Sequence, residues 1–112
     1  MKTPSGTAVL ALLLIGCSGA AQLATVCGES FCLPEGAKII SRDSHAEDFN
    51  LYRVQEAGNR FVIYEGNHPK RSDGSVVLTL KKEWPNYLEV SGPCATEEDC
   101  PVRAFAAKIA LR

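Results

Sequence analysis

Seven side chains carry the most versatile chemistry in this 112-residue chain: Cys17, Cys27, Cys32, Cys94 and Cys100, with His45 and His68. Four of the cysteines form two close pairs, Cys27 with Cys32 and Cys94 with Cys100. Such pairs serve as disulfides in an oxidising compartment, and as metal ligands or reactive thiols in a reducing one. Four cysteines allow three disulfide connectivities. A local ring of about six residues removes ~2 kcal/mol of unfolded-chain entropy, and a bridge across about 65 residues ~4 kcal/mol. Entropy alone therefore does not choose, and the short spacing favours the local pairs. A four-cysteine zinc site is the rival. It fits less well, because structural zinc pairs sit about two to four residues apart and the second pair here is wider.

The compartment is read from the amino terminus. Met1 and Lys2 give a short positive start, Ala8 to Ile15 is an uncharged apolar run, and small residues follow from Gly16 to Ala21. These are the three parts of a secretory signal. The run is shorter than the roughly 20 residues needed to cross a bilayer. Export predicts disulfides rather than zinc, and residues 1–16 are set apart from the fold as a signal peptide.

The run ends in Leu14-Ile15-Gly16-Cys17, which resembles the lipobox of bacterial lipoproteins. Ile15 departs from the small residue more usual at that position. The resemblance covers the first 17 residues only. It implies diacylglyceryl transfer to the Cys17 thiol, cleavage before Cys17, acylation (palmitate) of the new amino terminus, and membrane anchorage through lipid. Two or more acyl chains hold far more firmly than one. Ser18 follows, where Asp would favour the inner membrane of such proteins. The implied location is the cell envelope, lipid-anchored at the outer membrane and facing the periplasm. An ordinary signal peptide cleaved near Ala21, with Cys17 discarded, is the alternative.

The remaining candidates are weaker as chemistry. His45 lies in Asp43-Ser44-His45-Ala46-Glu47-Asp48, which reads as a solvated acidic loop more readily than as a metal or acid–base site, since ligands must converge from rigid elements. His68, Lys70 and Arg71 make the 66–74 loop basic, a candidate partner-binding loop whose plain alternative is a charged hairpin tip. Ser30 stands between two cysteines without a nucleophile-elbow pattern. Glu97, Glu98 and Asp99 suit the start of a helix. Tyr52, Tyr64, Trp84 and Tyr87 would form a recognition patch only if they shared an exposed face, and half-buried packing is the simpler expectation. No phosphate-binding glycine loop is present, and the residues give no catalytic, cofactor or metal site.

The elements that must position these groups are legible from periodicity. Residues 17–26 are small and polar, a tether, and 27–112 form a single domain. Ala37 to Ile40 is a short strand candidate, and Ser41 to Asp48 reads as a loop. Asn50–Gln55 and Arg60–Glu65 are β-rich runs around Glu56-Ala57-Gly58-Asn59, which predicts a hairpin. Val76, Leu78 and Leu80 alternate with polar residues, as do Leu88 and Val90, predicting two further strands. Val102, Phe105 and Ile109 recur at helical spacing, while Phe105, Ala107, Ile109 and Leu111 also alternate as a strand would; four alanines favour a helix over 102–111. The expected fold is α+β: a small antiparallel sheet of four or five strands, one C-terminal helix and two disulfides.

Composition narrows the function. Net charge is −1, and loss of Lys2 with the signal leaves 11 basic against 13 acidic residues. That balance gives no reason to expect nucleic acid as a partner. A small, stiffened, anchored domain is expected to bind a protein in the envelope as an inhibitor, immunity or accessory factor and not to act as an enzyme. A small hydrolase or ligand-binding protein using His45 and His68, or a purely structural envelope lipoprotein, are the alternatives. Mass spectrometry of the native mature protein is expected to find an acylated chain beginning at Cys17, whereas an unmodified chain beginning near Ala21 would exclude the anchor.

Overall fold

The computed structural model describes residues 25–45 and 48–112. Cys17, the signal peptide, most of the tether and Glu47 lie outside the described residues. The fold is α+β and mostly strand, and runs β1 (Phe31–Cys32), β2 (Lys38–His45), β3 (Phe49–Glu56), β4 (Asn59–Gly66), β5 (Val76–Thr79), β6 (Tyr87–Ser91), α1 (Pro101–Ala107) and β7 (Ala110–Leu111). The main sheet has five antiparallel strands in the order β2-β3-β4-β6-β5. A second sheet pairs β1 with β7. Both disulfides are local, Cys27–Cys32 and Cys94–Cys100.

Strand periodicity sorts the main sheet into two faces. On the closed face, Tyr52 and Val54 of β3, Phe61 and Ile63 of β4, and Leu88 and Val90 of β6 are all buried. Helix α1 packs over this face at β5, β6 and Phe61, and Phe31 lies against Tyr52. The helix begins with Pro101 at its first turn, where the missing N–H removes no helical bond. Val102, Phe105 and Ala106 point inward, and Phe105 stacks on Phe61 with centroids 4.2 Å apart. Phe31, Leu33 and Ala37 complete the core.

Two expectations are corrected. The loop expected over Ser41–Asp48 is strand as far as His45. Its residues are polar because β2 is an edge strand with most of its side chains in water, so no apolar alternation marks it. A register irregularity between Ile39 and Ser41 and charged side chains such as Lys38, Arg42 and Asp43 suit an edge that avoids pairing with other chains. The helix stops at Ala107 instead of Leu111, because Ala110 and Leu111 extend to pair with Cys32 and Phe31. Ile109 still packs against the core, so the residue that suggested a longer helix is buried by other means. The second sheet itself was not anticipated, since two-residue strands carry no period.

The 27–32 ring is tied into the domain from two sides. The Arg112 N–H donates to the Ser30 carbonyl at 2.9 Å, and its guanidinium to the Gly28 carbonyl at 3.0 Å. On the other side Ser30 meets Glu65 of β4. The Glu65 side chain is 0% exposed. Its carboxylate accepts from the Ser30 N–H at 2.8 Å and from the Ser30 hydroxyl, from Asn50 Nδ2 at 3.0 Å and from the Tyr52 hydroxyl at 2.7 Å. A carboxylate has about four lone-pair sites, so its capacity is filled, the condition for burying a charge without a large penalty. Burial, followed by the hydrogen bond and the charge of Glu65, pushes the Tyr52 hydroxyl well above its ordinary pKa and keeps it a donor.

The β3–β4 hairpin closes on two residues, because Glu56 pairs directly with Asn59. Ala57 and Gly58 both have positive φ, 52° and 81°. A two-residue turn of this kind needs left-handed backbone at both positions, which glycine adopts freely and alanine does not. Ala57→Asn is therefore expected to raise stability by about 0.5–1 kcal/mol, read as a higher denaturant midpoint at unchanged slope; an unchanged or lower midpoint would contradict the turn assignment.

Candidate functional site

The second face of the main sheet is open. On this face the register sets Leu51 of β3 opposite Tyr64 of β4, with Phe49 and Val62 at the diagonal positions and Glu89 and Ser91 of β6 beyond Tyr64 and Val62. Together they floor a cleft of about 740 Å³. Trp84 and Asp48 line it, together with Asn67, His68, Lys70 and Ser72 of the 66–75 loop. The floor is apolar because these are the outward positions of two well-paired strands. Phe49 stacks on Tyr64 with centroids 5.6 Å apart and on His45 at 4.4 Å. Trp84 is fixed by its indole N–H, which donates to the Asp48 carbonyl at 3.4 Å. Beyond Val62 and Ser91 the surface continues into a shallower depression between Ile40, Arg53 and Arg60.

The 66–75 loop returns over the sheet because a carboxylate holds it there. Glu89 is 4% exposed. It accepts from the backbone N–H of Lys70 at 2.7 Å and of Ser72 at 2.9 Å, and from the Ser75 hydroxyl at 2.6 Å. Burial on its own would raise the Glu89 pKa. The donors from Ser75, Ser72, Lys70 and Arg71 outweigh it and hold the carboxyl below the usual glutamate range. Two further bonds fix the start of the loop: the His68 N–H donates to Tyr64 Oη at 2.8 Å, and Asn67 Oδ1 accepts from the Asn86 N–H at 2.8 Å. Tyr64 lies so close over Gly66 that a Cβ there would stand 2.6 Å from its hydroxyl, so glycine is required for the loop to leave β4 beneath the ring.

The residues singled out by sequence are partly gathered here. His68 and Lys70 line the cleft. Arg71 turns away, with its guanidinium 5.5 Å from the centroid of the Tyr87 ring. Tyr64 and Trp84 share the cleft, while Tyr52 is in the core on the opposite face. Of the acidic segment around His45, Asp43 makes a surface ion pair with Arg53 at 2.8 Å, and His45 stacks on Phe49. Among the described residues, no group of three or more His, Cys, Asp or Glu is placed to hold a metal ion. Glu97, Glu98 and Asp99 lie in the exposed loop closed by Cys94 and Cys100, and the first turn of α1 contains no acidic residue. Sequence reasoning missed Glu89 and the floor residues Phe49 and Leu51. Glu89 alternates with apolar neighbours and so reads as solvent-facing; nothing local reveals that a loop covers it.

No protein-family model, no curated protein and no solved structure matches the chain.

Proposed function

We propose that this protein is a lipid-anchored component of a bacterial cell envelope, held by acyl chains on Cys17 at the outer membrane, whose domain binds a protein partner in the periplasm and catalyses no reaction. The observation that carries the binding role is the open-face cleft. Its floor of Phe49, Leu51, Val62 and Tyr64 sits on paired strands, so its shape is preorganised. Its edges offer a cation at Lys70, an amide at Asn67, a hydroxyl at Ser72 and a fixed indole at Trp84. An apolar centre with a polar rim is the arrangement of protein-binding surfaces, in which a few anchoring side chains carry most of the affinity. The partner would insert an apolar or aromatic side chain over Leu51 and Val62. Two disulfides suit a small domain in an oxidising compartment. The lipobox-like Leu14-Ile15-Gly16-Cys17 supports the anchor. An inhibitor, immunity factor or accessory subunit fits this description.

A second reading, a receptor for a small ligand, is favoured by size: ligand pockets span roughly 300–1,000 Å³, and this cleft is about 740 Å³.

Affinity capture of the lipidated protein from detergent-solubilised native envelope, with Val62→Glu alongside, tests the proposal. Val62 is 36% exposed, so the substitution is expected to change stability by no more than ~0.5 kcal/mol. A charge on the cleft floor is expected to reduce partner recovery at least about tenfold, a loss of ~1.4 kcal/mol of binding. Equal recovery by both forms, or no protein partner with the anchor intact, would contradict it.

A further inference from the structure

The 66–75 loop forms a wall of the cleft, yet its path is one that the chain does not adopt by local preference. Arg71 has φ of 57°, a left-handed conformation that a long side chain rarely takes. Two backbone N–H groups flanking it, those of Lys70 and Ser72, point at the same carboxylate. Successive amides converging in this way form a concave anion site. Here the anion is supplied by the protein itself, from Glu89 on the neighbouring strand β6. The Ser75 hydroxyl closes the arrangement from the far end of the loop. One buried carboxylate therefore receives three hydrogen bonds from a single segment, and that segment carries His68 and Lys70 on the cleft edge.

We propose that residues 66–75 are a strap latched on the Glu89 carboxylate, and that neutralising this one group releases the cleft wall while the sheet beneath stays folded. The idea rests on the cleft being the binding surface, and it adds that Glu89 is the positioning residue that decides whether the cleft is walled or open. The latch is separable from the sheet. Glu89 pairs through its backbone with Tyr64 and Val77 in either case, whereas only its side chain holds the strap. The bonds at Tyr64 Oη and Asn67 keep the loop's base attached.

The surroundings decide which pH change acts on it. Across β4 its register partner is Tyr64, across β5 it is the apolar Val77, and along β6 Tyr87 lies two residues away. The strap contributes His68, Lys70, Arg71 and Asp73. Its donors favour the charged carboxylate, so the folded state binds the proton more weakly than the unfolded chain. The latch is then fully engaged above the ordinary glutamate range and is lost as pH falls through the lower, folded value. Acid opens the strap.

Hydrogen exchange on the full mature chain, without any partner, reads the latch directly, because the Lys70 and Ser72 amides are the latch bonds. In Glu89→Gln, protection of these amides is expected to fall about tenfold or more while the β3 and β4 amides keep theirs. Acrylamide quenching of Trp84, the single tryptophan, is expected to rise. Wild-type protein should show the same two changes on acidification below the usual glutamate range, and the variant should show no such response. Unchanged strap protection in Glu89→Gln, or an equal loss of strap and sheet protection in a variant that still folds, would overturn the proposal. If that variant does not fold, Ser75→Ala is read in its place: a strap amide protection reduced several-fold with the sheet unchanged is expected, and an unchanged strap would overturn it. These readouts involve no partner, so a failed latch and a failed binding assignment are separate results.

Discussion

The carboxylate of Glu65 is the constraint around which the domain is arranged. It lies on the closed face, near the end of the central strand β4, and is fully buried. A charge in that position is tolerated only when its lone pairs are filled, and the four donors come from three residues in two parts of the chain: the Cys27–Cys32 ring through Ser30, and β3 through Asn50 and Tyr52. Satisfying it therefore brings the ring down onto the sheet. The ring in turn carries Phe31 into the core, edge-on to Tyr52 with centroids 5.0 Å apart, and offers β1 to the returning C-terminal strand. The disulfide keeps the ring compact enough for one serine to give both its N–H and its hydroxyl to the same oxygen.

The open face follows from this. With the ring, α1 and the C-terminal strand all committed to one side, the opposite side of the sheet is bordered, among the described residues, by the 66–75 loop and by Trp84 and Asp48. That loop is held by a second buried carboxylate, Glu89, on the adjacent strand β6. The two glutamates act on opposite faces of one sheet. Glu65 is enclosed by groups of the core, whereas the donors to Glu89 lie in a surface loop. The first kind of contact fixes a fold and the second can set the state of a cleft.

Much of the framework is legible in the sequence because it rests on local periodicity. The β3–β4 hairpin, the alternation of β5 and β6, and the local cysteine pairs follow from spacing and side-chain type. The edge strand β2 is not legible beyond Ile40, because an exposed edge needs no apolar residues and its order comes from pairing with β3. The end of α1 and the pairing of Ala110–Leu111 depend on where Phe31 and Cys32 lie, about 80 residues earlier. Glu65 does leave a trace: it continues the period of Phe61 and Ile63 on the inward face, and a charged residue in that phase signals a buried polar network. Glu89 leaves none, since its cover comes from a loop that local pattern does not place. His68 and Lys70 stand out by composition, but the aromatic and aliphatic floor beside them becomes a surface only when the strands are paired.

The central claim, that Glu65 couples the disulfide ring to the sheet, is tested most directly by a double-mutant cycle of Ser30→Ala and Glu65→Gln, with unfolding free energies measured for the oxidised protein. A hydrogen bond between a hydroxyl and a buried carboxylate predicts a coupling energy of about 1.5–3 kcal/mol. Additive effects, with coupling below ~0.5 kcal/mol, would mean that the ring is held to the sheet by other contacts.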